Sequence, residues 1–189
     1  MDMRSMVSLY SAPDSGPFCW DLAHHYGIPT FGTAGCSDAK VFDAQAASEA
    51  ALTLFDNALN GVNLVHDCGY LDCATTGSFE FLLFCDELIG WLRRYLRRLE
   101  ISEDTLALDL IHEIGPDGSF VETRHTLQHV RDDWVPRLMD RNNFLRWEAN
   151  GGTTLQERAN QEVREVLAGY QSKGLPAAVV QELEDVCNR

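Results

Sequence analysis

The sequence predicts an α/β fold: about three parallel strands joined by crossover helices, then a helical C-terminal tail, the pattern of the C-terminal portion of a TIM (β/α)8 barrel. Three observations predict it. Strand-like and helix-like stretches alternate as β-α-β-α-β-α through residues 1–100, and residues 101–189 read as helices and turns alone. Three strands are too few to close a barrel, which needs roughly 250 residues, so 189 residues are expected to be the last β/α units of a longer chain with a helical extension packed on them.

Each element has a local reason. "MVSLYSA", with a strand over residues 6–10, opens the pattern, and "PDSGPFCWDLAHHYG" reads as a helix stopped by Gly27. "IPTFGTAG" is a second short strand, over residues 29–33, running into a glycine-containing loop. Ser37 or Asp38 can then cap a helix over residues 39–59, whose alanines, Leu54 and Phe55 recur with helical spacing before Asn60-Gly61 ends it. "VNLVHD" is a third strand, over residues 62–65, and its lack of alternation predicts burial on both faces. "SFEFLLFCDELIGWLRRYLRRLE" is a long helix with the basic last turns that a helix C-terminus favours. Beyond it, "SEDTLALDLIHEIG" is a helix capped by Ser102, "PDG" a turn, and "TRHTLQHVRDDW" a helix or structured loop. "TTLQERANQEVREVLAGYQ" and "LPAAVVQELEDVCNR" are the closing helices.

Composition narrows the function classes. There are 29 acidic residues against 15 basic ones, and the net charge of −14 is repelled by phosphate backbones and anionic lipid. Nucleic acid and membrane surfaces are therefore not the expected partners. The six cysteines form no CxxC pair and are expected as reduced thiols. No basic leader and no long apolar run stands at the N-terminus, so the expectation is a soluble, cytoplasmic chain.

In parallel α/β folds the chemistry lies past the C-terminal ends of the strands. Two loops have that position. "FGTAGCSD" places Gly32 and Gly35 where backbone approaches something closely, and it opens a helix whose N-terminus could hold an anion such as a carboxylate. On spacing alone, a tight turn with a routine cap explains this loop better. In "GVNLVHDCGY", His66 and Asp67 are neighbours on a strand and point to opposite sides, so only one can face a cleft while the strand stays regular. Histidine carries protons near neutrality and can donate to an anion, and Tyr70 adds an aromatic face with a hydroxyl. The residues alone leave His66 equally well explained as a buried histidine with a backbone partner. His125 and His129 stand at i and i+4 on one helical face. With no glutamate at the next position and no obvious third ligand, solvent or packing roles are the expectation there. The basic run in "RRYLRR" is read as a solvated helix face with acidic neighbours.

Several stretches together resemble one family. "FGTAGCSDAKVFDAQAASEA", "NALNGVNLVHDCGYLD", "IHEIGPDGSF", "HTLQHVRDDWVPRLMDR" and "ERANQEVREVL" fall in the order seen in the C-terminal part of the trimethylamine methyltransferase family. That family is similar to a TIM barrel about twice this length or more. The resemblance implies methyl transfer from a tertiary or quaternary amine to the cobalt of a cobalamin (corrinoid) carried by a separate corrinoid protein, with no cofactor bound directly. Members that use trimethylamine carry pyrrolysine. This sequence has only ordinary residues, so the resemblance points to the non-pyrrolysine branch and to quaternary amines such as glycine betaine. Aromatic faces attract a quaternary ammonium, which makes Tyr10, Phe31 and Tyr70 candidates. A substrate carboxylate would be met by His66 or by the amides of Gly35, Cys36 and Ser37, with Asp38 and Asp67 beside them. His66 thereby becomes the expected catalytic residue. The unpaired edges of an incomplete barrel imply self-association, and a non-catalytic, self-associating remnant is the alternative reading.

Overall fold

A computed structural model describes Val7, Tyr10 and residues 15–188, with Ser15 and Pro17 in backbone only. Helix α1, Ser15–Tyr26, ends where Gly27 turns left-handed at φ +65°. Strand β1, Phe31–Thr33, leads through an irregular loop to helix α2, Ala44–Leu59. Strand β2, Leu64–His66, is followed by β3, Tyr70–Leu71, and β4, Thr76–Gly77. Helix α3, Phe79–Leu96, is capped by the Ser78 hydroxyl. The rest is helical: α4 (Glu103–Leu106), α5 (Leu108–Ile114), α6 (Arg124–His129), α7 (Phe144–Ala149), α8 (Leu155–Gly169) and α9 (Ala177–Cys187).

β1 and β2 pair in parallel, Phe31 opposite Leu64, Gly32 opposite Val65 and Thr33 opposite His66, with α2 between them in sequence. This is the expected β-α-β unit. β3 and β4 form a separate antiparallel pair that hydrophobic patterning did not reveal, because strands of two residues are too short to show a period. Of the expected first strand, over residues 6–10, only Val7 and Tyr10 lie among the described residues. The Tyr10 amide donates to the Val7 carbonyl at 3.0 Å, a turn bond.

Other expectations are corrected. α2 begins at Ala44, capped by the Asp43 carboxylate on the amides of Gln45 and Ala46, and not after Ser37 or Asp38. Ser37 and Asp38 are held instead by Glu49, a carboxylate one turn inside the helix. The helix expected after Ser102 is two, broken at Ala107, which is left-handed at φ +46°. β2 is not buried on both faces: Leu64 and Val65 are exposed. A run that reads as doubly buried needs cover on both sides, and β2 has one strand neighbour among the described residues.

The core lies between helices and not within a sheet. Ala46, Ala50 and Leu54 of α2 meet Phe81, Phe84 and Leu88 of α3, with Leu138 and Ala159 of α8 closing the other side. Phe42 packs on Phe81 and Phe84 with ring centroids 5.5 and 5.2 Å away. The second half is tied on by Glu87 of α3, a buried carboxylate that accepts from the backbone amides of Arg137, Leu138 and Met139 at 2.8–3.0 Å. The arginines of α3 meet acidic neighbours as expected, Arg94 pairing with Asp133.

Gly32 fixes how closely β1 lies on α2. A Cβ there would overlap Oδ1 of the fully buried Asn57 and come within 3.0 Å of Val62 Cγ1. Gly32→Ala is expected to lower stability by about 3 kcal/mol, read from the urea midpoint, because the buried Asn57 has no room to retreat. A loss under about 0.5 kcal/mol would mean that β1 can lift off α2 freely.

Candidate functional site

The C-terminal ends of β1 and β2 carry the candidate site. Gly32 faces α2, so by strand alternation Phe31 and Thr33 lie on the opposite face, with Leu64 and His66 beside them in register. That face is open: Phe31 is 65% and Leu64 64% exposed. The His66 ring stacks on Phe31 with centroids 4.2 Å apart and planes inclined by 22°. Its Nε2 lies 3.2 Å from the Thr33 hydroxyl and its Nδ1 2.8 Å from Asp67 Oδ2.

His66 and Asp67 are expected on opposite sides while the strand stays regular, and here it does not. The strand ends at His66, and Asp67 is left-handed at φ +72°, which swings its carboxylate back beneath the imidazole. Aspartate tolerates this region better than most residues. The result is an Asp67–His66–Thr33 array that holds the ring in one orientation. Thr33 was not a sequence candidate. Its signal was its place at the end of a strand, two residues from Phe31.

The other candidates are spread over the fold. Ser37 is fully buried; its hydroxyl donates to Glu49 Oε2 at 2.6 Å and its amide to the Tyr70 carbonyl at 2.9 Å. The Asp38 amide donates to the same Glu49 oxygen at 2.9 Å, and the Gly35 amide to the Thr53 hydroxyl at 3.1 Å. The Gly35 and Ser37 amides, expected to meet a substrate carboxylate, are thus engaged inside the fold. Tyr10 reaches Glu49 Oε1 through its hydroxyl at 3.1 Å, which raises the phenol pKa. Glu49 organises this loop and was missed, although it sits in the buried stripe of α2 with Ala46, Ala50, Thr53 and Asn57. A glutamate at a core position of an amphipathic helix was the available signal.

Cys36 is buried, and burial pushes its thiol up to about 12. Cys85 is also raised, by its hydrogen bond to the Cys68 sulfur and by burial. Neither is a thiolate near neutrality. Tyr70 is partly exposed and lines a shallow cavity of about 250 Å³ with Gly69, Phe79 and Leu82. Gly69 is required there: it is left-handed at φ +87°, and a Cβ would come within 2.8 Å of Leu82. No helix among the described residues is long and apolar enough to cross a membrane.

Known proteins resemble this chain along nearly all of its length. The trimethylamine methyltransferase (MTTB) family model matches residues 14–189. Glycine betaine methyltransferase of Desulfitobacterium hafniense (strain Y51) is 34% identical over 188 residues, covering 97% of this chain and 38% of the relative. Trimethylamine methyltransferase MttB of Desulfitobacterium hafniense (strain DSM 10664 / DCB-2) is 30% identical over 189 residues, with 98% and 38% covered. The protein of that name from Methanosarcina barkeri (strain Fusaro / DSM 804) is 30% identical over 168 residues, with 89% and 34% covered. The chain therefore spans rather more than a third of the length of these relatives. With an almost end-to-end family match and a mixed helix-and-sheet fold, the chain belongs to the trimethylamine methyltransferase family.

Proposed function

We propose that this chain contributes the C-terminal β/α units of a TIM-barrel methyltransferase, and that Phe31, Thr33, His66 and Asp67 form part of its substrate site. The substrate is a methylated amine, with a quaternary amine such as glycine betaine favoured. The observation that carries this reading is the open, aromatic and polar face at the ends of two parallel strands. In a closed barrel that face turns inward, and further strands of a longer polypeptide or a partner would cover it.

Each residue has a physical task. Phe31 is held on one side by the His66 ring, and its exposed face can attract a quaternary ammonium. Asp67 at Nδ1 orients the His66 ring, and the Thr33 hydroxyl beside Nε2 is placed to donate to a substrate carboxylate. The site's contribution is orientation: it holds the leaving nitrogen so that one methyl group points away from the protein wall. The corrinoid cobalt would supply the nucleophile that takes that methyl group, and a partner protein would carry it. Both His66 nitrogens already have partners, which holds the ring in one orientation.

The test is methyl transfer to reduced cobalamin by a full-length family member carrying "NLVHDCGY", with glycine betaine, dimethylglycine and trimethylamine offered in turn. Methylation from glycine betaine is the expected result, and transfer from none of the three overturns the reading. For the 189-residue chain alone, the open sheet face predicts self-association. Light scattering should give at least twice the chain mass, and a monodisperse, cooperatively melting monomer would count against a partial barrel.

A further inference from the structure

We propose that Asp104, His125 and His129 form a binding site for one divalent transition-metal ion, with zinc the ion that best suits two imidazoles and a carboxylate. One ligand atom from each residue lies within 4.8 Å of the others. His125 and His129 are one helical turn apart on α6, with ring centroids 4.5 Å apart. The ligand that the local sequence lacks comes from α4, 21 residues before His125. His129 Nε2 is 3.0 Å from Asp104 Oδ2, and His125 Nε2 is 3.8 Å from Asp104 Oδ1. Two ligands about 2.0–2.2 Å from a tetrahedral zinc lie about 3.3–3.5 Å from each other, and the two Asp104 oxygens lie within about half an ångström of that spacing from the two rings.

The surroundings support a metal more than a chance ion pair. Asp132 Oδ2 is 2.7 Å from His129 Nδ1, the carboxylate–histidine arrangement that fixes a ligating ring and directs its other nitrogen to the metal. The two histidines are only partly exposed, and solvent reaches the cluster, so water can complete the coordination shell. His125 Nε2 now lies 2.8 Å from the Asp104 carbonyl, a contact that a bound ion would replace. Such an ion would clip α4 to α6 across a region that buries few side chains. The site is independent of the Phe31–His66 face and of the activity proposed for it.

The experiment is titration of the metal-stripped 189-residue chain with cobalt(II) and then zinc(II), under reducing conditions, in the parent and in Asp104→Asn, His125→Ala and His129→Gln. One cobalt per chain is expected, with visible d–d bands, no thiolate charge-transfer band, and displacement by zinc. Each variant should bind at least about tenfold more weakly, and Asp132→Asn, which leaves the three ligands in place, about ten- to a hundredfold more weakly. Circular dichroism of each variant without metal separates loss of the site from loss of the fold. Equal affinity in parent and folded variants overturns the proposal, and so does a thiolate band, which would place the ion on cysteines. Weak binding of several ions per chain would also overturn it.

Discussion

Glu87→Ala is expected to cost about 4 kcal/mol of stability and to loosen the second half of the chain from the first. Glu87 projects from the buried face of α3, and its two oxygens receive three backbone amides, those of Arg137, Leu138 and Met139. Hydrogen bonds to a charged group contribute about 1.5–3 kcal/mol each, and buried donors left without partners cost a further desolvation penalty. Those terms are not additive, and water entering the space left by the side chain would recover part of the loss, so the total falls well short of three full bonds. The segment it holds carries Leu138 into the core beside Phe84 and Leu88. The measurement is urea unfolding together with amide hydrogen exchange at residues 137–139. Exchange there should quicken even under native conditions, while α2 stays protected. Glu87→Gln keeps one acceptor oxygen and should lose roughly half as much. A change under about 1 kcal/mol for the alanine variant would show that water already serves these amides.

His66→Ala, made at the matching position of a full-length family member carrying "NLVHDCGY", should slow methyl transfer about a hundred- to a thousandfold, or about 3–4 kcal/mol. The side chain is 38% exposed and packs mainly on Phe31, itself open, so its removal should move the unfolding midpoint little. The loss is expected in the rate because the ring is positioned at both nitrogens and at its face. Asp67→Asn gives a companion measurement. It keeps the shape beside the ring, weakens the carboxylate contact at Nδ1, and should slow transfer less than His66→Ala does. Unchanged turnover with a lowered midpoint would make His66 a packing residue, and the assignment of this face as the substrate site would fall with it.

Much of the architecture was legible because it rests on local rules. Helical periodicity marked α2, and Ser102 caps the helix it precedes, as its place in the sequence predicted. The parallel pairing of β1 with β2 followed from a helix standing between two strand-like runs. The apolar run of β2 misled for a related reason. It reads as covered on both faces, whereas Leu64 and Val65 are open.

By itself, then, the sequence determined the order of helices and strands, the placement of a His-Asp pair at the end of a strand, and the family resemblance. Only the tertiary structure decided which side chains meet. The left-handed turn at Asp67 brings the carboxylate to His66 Nδ1, and strand register brings Thr33 and Phe31 to the same ring. Glu49 gathers Ser37, Asp38 and Tyr10 from three places in the chain, and Asp104 reaches His125 and His129 from another helix. Periodicity reports which face of an element is apolar, over a few residues. A site is made by contacts between residues distant in sequence, and one backbone torsion or one buried carboxylate redirects them without changing the local pattern.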